Sequence, residues 1–227
     1  MNLAIIVARN SSVHALFCIY LISEVAEMTN SIMKKRNTDE LISELIDLCF
    51  RLKETVEKEF VPLSKKQLFW SSDKNSWSIA QCLAHLNAFH RFYVPVFIER
   101  VKNTRFQEPD EFFQSSPLGQ STYAKVKLGK LKNVKRKLKS PKDYNPLINK
   151  NLKTENLLED FIKYQNQLIE TLENARSINI KKTKTSFSVR PIVKLRLGDA
   201  FLYIVYHCER HIEQAKKIKL HSKFPTS

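Results

Sequence analysis

Apolar residues recur at helical spacing in four separated blocks of this chain. Leu41, Ile42, Leu45, Ile46, Leu48, Cys49, Leu52, Val56 and Phe60 mark one face of a helix over about residues 38–60, with Pro62 as its stop. Asn37 followed by Glu40 resembles a capping box with Asn in place of Ser or Thr. The second block, Ile79, Leu83, Leu86, Phe89, Tyr93, Val96, Phe97 and Val101, has the best-marked start in the sequence. Ser78 is its N-cap, Gln81 sits at N3, and Trp77 and Cys82 take the positions of a hydrophobic staple. Pro95 inside this run predicts a kink. A Thr154 cap opens the third helix, whose stripe is Leu157, Leu158, Phe161, Ile162, Gln165, Leu168, Ile169, Leu172 and Ala175. The fourth starts at Asp199 and carries Phe201, Leu202, Val205, Cys208, Ile212, Ala215 and Ile218.

Four amphipathic helices around one core describe an all-α four-helix bundle over residues 37–220, with a tail at 221–227. Residues 178–196 read as a plain connector. Residues 102–153 hold Pro109, Pro117, Gly119, Gly129, Pro141 and Pro146 and lack amphipathic periodicity. A link of about 50 residues far exceeds the usual two to eight between bundle helices. The expectation is a long crossover between helices two and three, with short helical turns of its own and a candidate cover for a cleft. Such a link permits parallel neighbours. No internal repeat is visible.

Residues 1–36 differ from the rest. The apolar run from Val13 to Ile22 is ten residues long, whereas a bilayer span needs about 20. No basic front or small-residue cleavage site accompanies it. The expectation is an N-terminal extension, disordered or a start assigned too far upstream with Met28 or Met33 as initiator. A weak signal or membrane-surface helix is the alternative.

Composition narrows the class. Three Gly and eight Pro in 227 residues argue against a turn-rich β sandwich or barrel. Cys18, Cys49, Cys82 and Cys208 show no C-x-x-C spacing and read as small buried hydrophobes in a reducing, cytoplasmic setting. The net charge of +15 is concentrated: nine Lys or Arg and no acid lie between Lys125 and Lys142. A solvated loop is the plain explanation, and attraction of anions the functional one. Few aromatics lie among these lysines, which gives base stacking little support and makes nucleic acid an unfavoured partner.

The chemistry that stands out is histidine. His207 and His211 are four apart and lie about 40° apart on a helical wheel, with Gln214 on the same flank of the stripe. His85 takes a comparable position in the second helix, beside Gln81, Phe89 and Phe92. Three imidazoles from two facing helices would leave an open position on a bound ion, which suits catalysis better than a closed structural site. H-x-x-x-H alone is a weak signal, since paired histidines at that spacing more often line a solvated face. His90 is the rival third ligand, but it lies nearer the centre of its stripe, as a hydrogen-bonded core histidine would. Glu209 and Glu213 project to the other side of the fourth helix, so neither is a natural base. No Ser-His-Asp order, Gly-rich phosphate loop or paired-carboxylate signature occurs.

Trp77-Ser78-Ile79 with His85-Leu86, and His207-x-x-Arg210-His211-x-x-Gln214, resemble the DinB-like superfamily of metalloenzymes. Lys139-Ser140-Pro141-Lys142-Asp143-Tyr144-Asn145-Pro146 resembles a proline-bracketed loop of one branch, and Leu197-Gly198-Asp199-Ala200 a matching helix start. The likeness covers about residues 37–220. It implies up-down-down-up connectivity and a divalent metal, Zn²⁺ or Ni²⁺, held by His85, His207 and His211. It also implies activity as a thiol-dependent S-transferase or a hydrolase on a small-molecule substrate, with a low-molecular-weight thiol as co-substrate. A homodimer is left open. The residues 1–36 and the lysine-dense crossover depart from the family pattern, so the likeness does not extend to a particular substrate. The rival expectation is a non-enzymatic bundle that binds anions or nucleic acid through residues 125–142.

Overall fold

The computed structural model describes residues 35–226 except 130, 134–137 and 189. The expectations for residues 1–34 and for the middle of the basic run lie outside the described residues. Four long helices dominate: α1 (Thr38–Glu59), α3 (Ile79–Asn103), α5 (Leu157–Asn174) and α6 (Leu197–Lys219). Each of α1 and α3 packs on both α5 and α6. Short helices α2 (Lys65–Phe69) and α4 (Pro117–Val126) lie in the links. Most positions of the apolar stripes read from the sequence are buried, with Val96, Leu158, Ile162, Ile169 and Ile218 half-buried at their margins, and Phe60, Phe97, Phe113, Phe161 and Phe201 fill the core.

The caps explain the starts. Ser78 and Gln81 form both halves of a capping box at α3: the Ser78 N–H donates to Gln81 Oε1 at 2.8 Å, and the Gln81 N–H donates to Ser78 Oγ at 3.2 Å. At α1 the Asn37 side chain accepts from the Glu40 N–H at 3.0 Å. Helix α3 runs through Pro95 to Asn103. Ser64 and Gln67 make a second capping box, on α2.

Three elements differ from the sequence reading. The third long helix is capped by Asn156, not Thr154. Asn156 is left-handed at φ 50°, a conformation Asn tolerates because its short polar side chain relieves the Cβ penalty. The connector 178–196 contains a hairpin, so the fold is mostly helical and not purely α. Strands β3 (Lys184–Phe187) and β4 (Arg190–Arg196) pair antiparallel, with Thr185 opposite Leu195 and both buried, while Lys184 and Lys194 face outward. A two-residue ribbon, β1 (Arg36–Asn37) with β2 (Phe112–Phe113), ties the front of α1 to the crossover.

The third difference is the start of α6, which lies two residues before the expected Asp199. The helix begins at Leu197, and Asp199 points from its first turn into the crossover. There its carboxylate accepts from the Ser116 N–H at 3.1 Å and from Ser116 Oγ–H at 2.8 Å. Burial raises its pKa, and the Ser116 bonds oppose that rise. Phe113 seats on Gly198, where a Cβ would lie 2.5 Å from the ring. The crossover is thereby fixed to the start of α6. Sixteen of the 23 residues of α6 are buried, because α4 covers the flank that α1 and α3 leave open.

Residues 221–226 are not loose. His221 and Phe224 pack on Trp70 at ring separations of 5.3 and 5.6 Å, and Gln67 Nε2 donates to the Pro225 carbonyl at 3.1 Å. Cys49, Cys82 and Cys208 are free and buried. Among the described residues no helix is long and apolar enough to cross a membrane.

Candidate metal centre

The structure brings His85, His207 and His211 together. One helix supplies His85 (α3), a second supplies the other two (α6), and the packing of α3 on α6 closes the trio. One ring nitrogen from each lies within 4.8 Å of the other two. Ring centroids are 4.6 to 5.0 Å apart. The residues are 2, 5 and 9 % exposed in sequence order.

Tautomers follow from the neighbours. His85 Nδ1 lies 2.6 Å from the Tyr144 carbonyl. A carbonyl oxygen only accepts, so Nδ1 carries the proton and Nε2 presents its lone pair. His211 Nδ1 lies 3.0 Å from the Gln214 amide oxygen, which assigns its proton in the same way. His207 Nε2 sits 3.1 Å from His85 Nε2. Two lone pairs at that distance repel unless a proton or a cation stands between them. Among the described residues His207 Nδ1 has no hydrogen-bond partner, so without an ion the His207 proton sits on Nε2 and points at the His85 lone pair.

Electrostatics keep the rings neutral. Burial pulls His85 down to about 4, against a smaller opposing effect of the Tyr144 bond. Burial also pulls His207 and His211 well below the ordinary histidine value, reinforced by their nearness to the other rings. Neutral imidazole is the form that ligates a metal. The walls are aromatic. Trp77 stacks on His211 at 5.4 Å, Tyr203 stacks on His207 at 5.6 Å, and Phe89 touches His85 and His207 at 4.9 and 4.6 Å.

His90 is elsewhere. It is fully buried, 3.2 Å from Cys208 Sγ and 3.3 Å from Gln165 Nε2, in the seam of α3, α5 and α6. That is a core position, as its place in the stripe suggests. No carboxylate joins the trio among the described residues. Glu213 instead pairs with Lys132 at 3.5 Å and Lys216 at 3.3 Å. Two members of the basic run are thus engaged with α6: Lys132, and Lys127, whose Nζ lies 4.5 Å over the Tyr206 ring. A cavity of about 410 Å³, lined in part by Ile98, Val101, Glu170 and Thr171, shares no residue with the trio.

Tyr144, Tyr203 and the part played by Gln214 in orienting His211 were not assigned from sequence. The proline-bracketed run Lys139–Pro146 was the available signal for Tyr144.

Helical architecture and a buried histidine trio define a class of candidate metal-binding bundle. The chain belongs to the DinB superfamily, whose sequence model matches residues 51–215. Among solved structures it is similar to YfiT from Bacillus subtilis, described as "a probable metal-dependent hydrolase with an unusual four-helix bundle topology". That likeness has 16% identity and a TM-score of 0.45, covering 81% of this chain and 86% of that one. Comparison with curated proteins finds no match.

Proposed function

We propose that this protein is a metal-dependent enzyme in which His85, His207 and His211 hold one divalent ion, Zn²⁺ or Ni²⁺, through ring nitrogens. One observation carries the reading: three buried, neutral imidazoles converge, and two of them have their second nitrogen committed to an oxygen acceptor. Tetrahedral zinc with bonds of 2.0–2.1 Å sets its nitrogens about 3.3 Å apart. The 3.1 Å separation of His85 and His207 fits that span.

Such an ion would supply a Lewis acid that polarises a bound oxygen or sulfur group and lowers its pKa. The protein's own residues do the rest. Tyr144 and Gln214 hold the tautomers of His85 and His211. Trp77, Phe89 and Tyr203 exclude water and lower the local dielectric. With no carboxylate base in the trio, the site suits a nucleophile that ionises readily. We therefore read the reaction as thiol-dependent S-transfer, using a low-molecular-weight thiol, with hydrolysis of a small-molecule ester or amide as the second form. The up-down-down-up connectivity and the division at residue 37 belong to the same reading. The pairing of α1 and α3 each with both α5 and α6, and the long crossover, support the connectivity.

The test is metal content after mild loading with Zn²⁺ or Ni²⁺ and dialysis. We expect one equivalent per chain, falling below ~0.1 in His85→Ala, His207→Ala and His211→Ala. A wild-type value below ~0.1 would overturn the proposal. A panel of electrophiles with and without thiol then separates transfer from hydrolysis.

A further inference from the structure

We propose that Tyr144 is a positioning residue of the metal centre, acting through its main-chain carbonyl on His85, so that metal binding and docking of the crossover turn Lys142–Tyr144 are coupled. This rests on the reading of the trio given above. The carbonyl lies 2.6 Å from His85 Nδ1 across 59 positions of sequence. By holding the proton on Nδ1 it leaves Nε2 as the ligating atom. The ring that accompanies the carbonyl packs 4.2 Å from Phe89, which itself touches His85 and His207. Tyr144 is therefore anchored by both its carbonyl and its ring to α3, the helix that carries His85, and Phe89 links it to His207.

The turn is built to deliver that oxygen. The Tyr144 N–H donates to the Pro141 carbonyl at 3.0 Å and the Asn145 N–H to the Lys142 carbonyl at 3.1 Å. Asn149 Nδ2 donates to the Asp143 carbonyl at 2.7 Å. At its other end the crossover is fixed by Ser116 on Asp199. His211, by contrast, is oriented from its own helix by Gln214, three residues on. An orienting group delivered from a separate segment has a consequence that a local one lacks. If the docked turn favours the metal-competent tautomer, the metal must favour the docked turn by the same factor.

Zn²⁺ affinity by competition with a chromophoric chelator, together with hydrogen exchange of residues 139–149 with and without Zn²⁺, tests both directions. Tyr144→Gly, which frees the backbone and removes the Phe89 contact, is expected to weaken Zn²⁺ binding about 10-fold. Tyr144→Phe keeps the ring and carbonyl and is expected to hold affinity within about twofold of wild type. Asn149→Ala loosens the same turn at a distance from the trio and is expected to weaken binding in the same direction. A purely structural role would lower the Tm of the metal-free variants without this affinity pattern. Zn²⁺ should slow amide exchange across the turn in wild type. Unchanged affinity in both Tyr144→Gly and Asn149→Ala, or unchanged exchange in protein that has taken up Zn²⁺, overturns the inference alone. Failure of wild type to bind Zn²⁺ at all overturns the metal reading and this inference with it.

Discussion

The carboxylate of Asp199 occupies the space a side chain at residue 119 would need. A Cβ on Gly119 would lie 2.0 Å from both Cγ and Oδ2 of Asp199. Asp199 is fully buried and bonded to Ser116, so it has nowhere cheap to go. Gly119→Ala should therefore displace the carboxylate, break the Ser116 bonds and destabilise the protein by about 1–3 kcal/mol. Urea denaturation measures this. A variant as stable as wild type would mean that the crossover is not fixed at this point.

Legibility in the sequence depended on whether a residue type or only a backbone atom does the work. The four stripes were visible because burial selects side chains at period 3.6. Ser78 and Gln81 were visible because a capping box needs those functional groups three apart. His207 and His211 were visible for the same reason, and His85 through its flank of the second stripe. The hairpin was hidden because Lys184–Phe187 gives only four alternating residues. The start of α6 was read two residues late because an acid marks a first turn without fixing its first residue, and only packing of the crossover shows Asp199 as a tertiary anchor. The Tyr144 carbonyl leaves no trace in residue identity, since every residue has one.

His90 and His85 should respond oppositely to truncation. His90 touches Cys208 and Gln165 in the core and takes no part in the trio. His90→Ala should lower stability by about 2–4 kcal/mol, through a cavity and lost hydrogen bonds, while metal stoichiometry stays at one per chain. His85→Ala should abolish metal uptake. Loss of metal from a folded His90→Ala variant would restore His90 as a ligand candidate.

The metal-free protein should weaken in mild acid. Burial pushes His90 down to about 3 and His85 down to about 4, and depresses His207 and His211 as well. A depressed histidine binds its proton in the unfolded chain first. The stability it contributes is complete above its ordinary value near 6.5 and is lost as pH falls toward the folded value. At pH 5.5 each such histidine should cost up to about 1.4 kcal/mol relative to pH 7.5. The urea midpoint of metal-free protein should drop across that interval, and His90→Gln should reduce the slope. A midpoint that is flat or rises in acid would contradict burial of neutral rings.

Gln214 offers a graded control of metal affinity. Its amide oxygen accepts from His211 Nδ1–H at 3.0 Å, which leaves the other nitrogen for the ion. Gln214→Ala removes the acceptor, so the proton is free to move to the ligating nitrogen, and Zn²⁺ affinity should fall about 10-fold. Gln214→Glu places a carboxylate there instead. A carboxylate makes the imidazole a stronger donor to the metal and stabilises the positive charge the ion brings, so affinity should match or exceed wild type. Chelator competition at one pH above 7 measures all three, where the trio is neutral throughout and proton competition drops out. The order Glu at or above Gln, with Ala lowest, is the signature of a hydrogen bond that sets ligand strength. If Ala and wild type bind alike, the Gln214 contact is incidental to the site.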